Sequence, residues 1–193
     1  MIDEYLARLP QGIYSYPEMR QKASAVPAFL EGVRLTDLDG LPAEIQDVIR
    51  RPPPVSVWIP EVHCSCLFLA IRERCFSSDA DYVAYLRDVN KKLLSGALYR
   101  ALFAMVGPKT VVKGAADRWG KFHKGSVLDV TLGEDGKSAE VRLTSPEHLF
   151  PERIADNYAI SFETAIGLAS GGDAQFSMVE HTPTLAVYRG SWQ

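Results

Sequence analysis

The sequence predicts an α+β fold, an N-terminal helical layer followed by a ββαββ four-stranded antiparallel sheet. Two observations carry this. Apolar residues recur at helical spacing through the first two-thirds of the chain, and at Gly125 the period changes from 3.6 to 2. The strand-period region is then divided by one helix-period stretch, Pro151 to Ser170, with two strands on either side.

At 193 residues the chain fits one domain. We divide it into an N-terminal helical and extended segment (1–54), a helical layer (55–124) and the ββαββ part (125–193). Short helices are expected at Tyr5 to Leu9 and Glu18 to Ala25. Leu41 to Ile49 reads as a helix with Pro42 in its first turn. Arg50-Arg51-Pro52-Pro53-Pro54 cannot continue it and reads as a stiff extended connector or a docking segment.

After Trp58-Ile59-Pro60, Cys64, Leu67, Phe68, Ile71 and Cys75 place a helix from Glu61 to Phe76. Ser77-Ser78-Asp79 offers N-caps for the next one. Its stripe of Tyr82, Leu86, Val89, Leu93 and Ala97 predicts a helix running on through Leu98, Ala101 and Met105 to Gly107-Pro108. A further helix is expected from Thr110 to Phe122.

In the last part, Leu128, Val130 and Leu132, then Ala139, Val141 and Leu143, alternate around Gly133-Glu134-Asp135-Gly136-Lys137, which predicts a hairpin with one wet face. The helix that follows buries Ile154, Tyr158, Phe162, Ala165, Ile166 and Ala169 and stops at Gly171-Gly172. Ala174-Phe176-Met178 and Leu185-Val187 predict the second hairpin, with Leu185 to Trp192 as a sheet edge suited to a homodimer.

The net charge of -3 argues against nucleic acid as partner. No apolar run is long enough to span a membrane, and no signal-peptide pattern opens the chain, so the expected location is the cytoplasm. Three cysteines, an odd count, fit a reducing compartment. His63-Cys64-Ser65-Cys66 is the only cluster of soft ligands, but it lacks the second Cys/His pair of a structural zinc site. Cys64 and Cys75 share the apolar stripe, where a free cysteine packs as a small hydrophobe. No nucleophile elbow, phosphate loop or dinucleotide fingerprint is present.

Trp58-Ile59-Pro60, Leu98-Tyr99-Arg100-Ala101-Leu102, Pro108 and Trp119-Gly120-Lys121-Phe122-His123-Lys124-Gly125 resemble an uncharacterised paralogous family of about this length expanded in myxobacteria and related delta-proteobacteria. More distantly, the pattern is similar to the four-vinyl-reductase domain and the haem-nitric-oxide-binding fold. The resemblance spans Val55 to Gln193 and implies a ligand-sensing or protein-docking domain, frequently dimeric. Haem-binding members of that fold use an axial His on a helix and a Tyr-x-Ser-x-Arg clamp. Tyr14-Ser15-Tyr16 and Tyr188-Arg189-Gly190 are the nearest strings and neither has that spacing.

The expected function is therefore a non-enzymatic sensory or interaction domain for a small apolar or aromatic ligand or a partner protein. No catalytic residue, metal or cofactor is assigned. Trp58, Tyr99, Trp119, Phe122 and His123 are the candidate ligand-binding residues, aromatic or amphipathic groups where helices meet the sheet. The competing readings are a metalloprotein or Cys/His enzyme using His63, Cys66 and His123, and a structural subunit of a larger complex.

Overall fold

A computed structural model of the chain describes residues 1–96 and 107–193. Among the described residues, seven α-helices precede the large sheet or lead into it: α1 (Ile2–Ala7), α2 (Ala25–Glu31), α3 (Ala43–Arg50), α4 (Glu61–Cys75), α5 (Asp79–Ser95), α6 (Pro108–Lys113) and α7 (Ala115–Phe122). Then come β4 (Val127–Leu132), β5 (Ser138–Thr144), α8 (Glu152–Ser170), β6 (Ala174–His181) and β7 (Leu185–Trp192). The α+β class and the ββαββ order are as the periodicity predicts.

Three short strands were not anticipated. β1 (Arg20–Lys22) pairs antiparallel with both β2 (Trp58–Pro60) and β3 (His123–Lys124), giving a small second sheet in the order β2-β1-β3. The helix expected over Glu18 to Ala25 is therefore corrected. Its centre is β1, because two distant segments offer hydrogen-bond partners that outweigh local helix preference.

Two helix expectations change for the same local reason, a glycine. The long helix expected to continue through Leu98 stops at Ser95, where Gly96 turns extended (φ -65°, ψ 159°); Leu98, Ala101 and Met105 lie outside the described residues. The helix expected from Thr110 to Phe122 is split at Gly114 into α6 and α7. Elsewhere the boundaries agree within two or three residues. Ser78 caps α5, its Oγ accepting the Asp81 N–H at 3.1 Å. Gly171, at φ +67°, closes α8 in the left-handed conformation that a side chain resists.

The large sheet has the order β4-β5-β7-β6, so its edges are β4 and β6. The expectation of an edge at Leu185 to Trp192 is overturned: β7 is paired on both sides, which a sequence pattern of alternation alone does not decide. Val141 opposes Tyr188 and Leu143 opposes Ala186, so Ala186 and Tyr188 share the face covered by α8. Tyr188 is fully buried and donates its hydroxyl hydrogen to the Ala155 carbonyl at 3.0 Å.

One apolar core joins both sheets and the helices, from Ile2 and Tyr5 to Tyr188 and Trp192. α4 lies at its centre, with Val62, Cys64 and every residue from Ser65 to Ile71 buried. Among the described residues, no helix is long and apolar enough to cross a membrane.

Candidate functional site

A cavity of about 190 Å³ opens where the two sheets and the helices meet. Its walls come from β1, α2, α4, α5, α6, α7, β3, β4, β5, α8 and β6. Aromatic rings dominate: Phe29, Phe68, Trp119, Phe122, Phe162 and Phe176. The floor on the sheet side is aliphatic, from Leu128, Val130, Ala139 and Val141, the inward residues of the first hairpin.

One end of the cavity is a built polar cluster. α7 runs directly into β3, so Trp119 and Phe122, three residues apart on one helix face, are followed at once by the extended His123. The imidazole of His123 stacks on the Trp119 indole, with centroids 3.7 Å apart and planes 7° from parallel. Tyr158 of α8 meets both rings edge-on, at 5.1 Å and 5.8 Å. The Trp119 Nε1–H donates to Ser126 Oγ at 3.0 Å.

Beneath these rings sits Glu61, 1% exposed. One carboxylate oxygen is 3.2 Å from His123 Nδ1, and the other accepts the Tyr158 hydroxyl at 3.2 Å. Glu61 is the first residue of α4, where the unpaired N–H groups of a helix favour negative charge. Its own N–H donates to the Met19 carbonyl, tying the approach to β1 onto the start of α4. A buried carboxylate needs such partners, since desolvation of an unpaired charge costs several kcal/mol. Burial first, then the neighbouring Glu61 charge, pushes the Tyr158 hydroxyl pKa far up, so it remains a donor at neutral pH.

A second polar stripe runs along the α5–α8 face of the cavity. Ser161 Oγ donates to Asn90 Oδ1 at 2.8 Å, and Asn90 Nδ2 donates to the Leu86 carbonyl at 2.9 Å. Asn157 Nδ2 donates to the Tyr82 hydroxyl at 2.9 Å. These groups are held by the protein itself.

Of the five candidate residues, Trp119, Phe122 and His123 are brought together on the cavity wall. Trp58 is not on it: its half-buried ring meets the ammonium groups of Lys22 and Lys124, 4.4 Å and 4.3 Å from the centroid. Tyr99 lies outside the described residues. Sequence reading missed Glu61, Gln21 and the pairing role of Tyr158. For Glu61 a signal existed, a lone acidic residue right after Pro60 at the start of a run apolar on all faces. Gln21 gave none.

His63 and Cys66, proposed with His123 as a reactive set, are separate from the cavity wall. Cys66 is fully buried, and burial pushes its thiol up to about 12. Burial also lowers the His63 pKa, partly opposed by Glu44. Among the described residues, no three His, Cys, Asp or Glu side chains are grouped so as to hold a metal ion.

Solved structures of H-NOX proteins share this fold. A point mutant of T. tengcongensis H-NOX superposes with a TM-score of 0.59 at 13% identity, covering 89% of this chain and 97% of that one. An oxygen-binding H-NOX domain related to soluble guanylate cyclases gives 0.58 at 13% identity over 89% and 95%. The Fe(II) unliganded H-NOX protein from K. algicida gives 0.56 at 10% identity over 89% and 96%. No protein-family model and no curated protein matches the chain.

Proposed function

We propose that the chain is a non-enzymatic sensory domain that holds a small, mostly apolar ligand against Trp119, Phe122 and His123. The observation that carries this reading is the 190 Å³ cavity, walled by aromatic rings with a few fixed polar groups. The likeness to H-NOX proteins, which include an oxygen-binding domain, supports a sensory role for the same fold.

Heme is the group named for the H-NOX family. The described residues do not fit it. The cavity of 190 Å³ is smaller than the roughly 300–1,000 Å³ that drug-sized ligands fill, and a porphyrin is larger than most of those. The cations at the wall face the protein. Lys22 Nζ donates to the Ser56 carbonyl at 2.8 Å, and the Arg118 guanidinium reaches the Thr110 and Val111 carbonyls, so these two cations form no clamp for propionates. A ligand of one or two rings suits the space: a cavity of about 150 Å³ in another protein takes up benzene.

Chemistry by a Cys66 thiolate has less support, because the thiol stays protonated in the folded chain up to about pH 12. A neutral, buried thiol is a packing group.

The test is native mass spectrometry of the protein purified from cells, alongside its absorption spectrum. The expected result is an added organic mass without a Soret band. Ala165→Leu, which fills cavity space from α8, is expected to abolish that mass while the protein stays folded. A protein that carries no added mass and takes up none of a panel of one- and two-ring aromatics would reject the reading.

A further inference from the structure

Gln21 is the central residue of the small sheet, directly opposite Ile59 on one side and His123 on the other. Antiparallel partners share a face, so Gln21 and His123 together form the polar corner of the cavity. The Gln21 side chain is only 7% exposed. Its Oε1 is buried and accepts no hydrogen bond from any described residue.

That orphan is out of keeping with the rest of the wall. Asn90, Asn157, Ser161, Trp119, Tyr158 and His123 each have a hydrogen-bond partner within the protein. Buried carbonyl oxygens are rarely left unmet, and Gln21 belongs to the wall of a ligand-sized space, from which a donor reaches Oε1 once the amide turns toward it. Both oxygens of Glu61 are already engaged, so no charge waits there for a cation. Lys22 and Arg118 each bond a backbone carbonyl, so neither is held ready for an anion as the orphaned oxygen is for a donor.

Resting on the reading of the cavity as a ligand site, we infer that it takes a small neutral aromatic molecule bearing one N–H or O–H donor, and that Gln21 Oε1 receives that donor. Gln21 is then the specificity-determining residue, and the aromatic wall supplies affinity without discrimination. A hydrocarbon of equal shape enters but leaves the Gln21 oxygen unmet.

Indole and indene are matched probes: the same bicycle, with and without the N–H. Calorimetric titration of the whole chain is expected to give indole at least tenfold tighter binding than indene. In Gln21→Leu, indole affinity falls at least tenfold while indene affinity holds, so the retained indene binding reports a folded cavity. If the branched side chain prevents folding, Gln21→Met carries the same expectation with an unbranched one. Equal affinity for the two probes in the unaltered protein overturns this inference and leaves the cavity reading standing. So does a Gln21 variant that still prefers indole. Failure of both probes to bind overturns the inference, and the cavity reading falls with it when the protein also carries no added mass and takes up none of the wider aromatic panel.

Discussion

His123 lies flat on Trp119 at 3.7 Å while its Nδ1 faces the buried Glu61 carboxylate at 3.2 Å. The imidazole thus joins two kinds of interaction, a ring stack on one side and a polar contact at its edge. Removing it leaves Tyr158 as the remaining side-chain hydrogen-bond partner of the carboxylate among the described residues.

His123→Ala is accordingly expected to cost about 3 kcal/mol in urea unfolding, the scale for breaking a buried pair. Glu61→Gln keeps an oxygen for one neighbour and should cost about 1 kcal/mol. A His123→Ala cost as small as that of an exposed substitution would mean that Glu61 does not depend on it.

Gly190 lies opposite Phe176 in the β6–β7 pair, and a Cβ there would sit 2.4 Å from three atoms of the Phe176 ring. Gly190→Ala therefore drives a cavity-lining ring out of place, at about 1–3 kcal/mol. The double variant Gly190→Ala/Phe176→Ala should lose less stability than the sum of the two single variants. Strict additivity would show that the two residues do not collide.

Tyr188→Phe removes one hydrogen bond to the Ala155 carbonyl and should cost about 1 kcal/mol. Tyr188→Ala, at a fully buried position, should cost about 3–5 kcal/mol. A near-neutral alanine variant would place Tyr188 at an open sheet edge, contrary to the pairing of β7 on both sides.

Burial raises the Cys66 thiol from 9.0 to about 12 in the folded chain. Between those values the unfolded chain has released a proton that the folded chain retains. Stability from this group is therefore complete below pH 9.0 and declines as pH rises toward about 12. Tyr82, raised from 10.0 to about 12 by burial, adds a loss that begins one unit higher. Urea midpoints measured from about pH 8 to about pH 10 should fall less steeply in Cys66→Ala than in the unaltered protein. Identical slopes would contradict the burial of the thiol.

The parts of the fold that sequence made legible are those with a local cause. The first hairpin is fixed by Leu128, Val130, Val141 and Leu143 at period two around a glycine-bounded turn, and it formed where expected. Gly171 ended α8 where a left-handed residue was needed. What escaped has a non-local cause. Arg20–Lys22 is too short to show a period, and it is a strand only because Trp58–Pro60 and His123–Lys124 flank it. Trp119, Phe122 and His123 could be singled out because three aromatic or amphipathic groups fall together in the chain. Gln21 could not, since its meaning comes from a neighbour on another strand. Trp58 has the right composition for a pocket, but its register opposite Lys22 sets it against cations.

The small sheet has a consequence for the order in which the molecule assembles. Gln21 and His123 are about a hundred residues apart in sequence, and closing a loop of that length carries an entropic cost that only later contacts offset. Hairpins and helices with nearby partners form without waiting for it. On a ribosome, Gln21 emerges long before its neighbour, and the polar corner of the cavity is absent until β3 has been synthesised and docked. A nascent chain of this protein thus reaches ligand competence late, after most of its helices already exist.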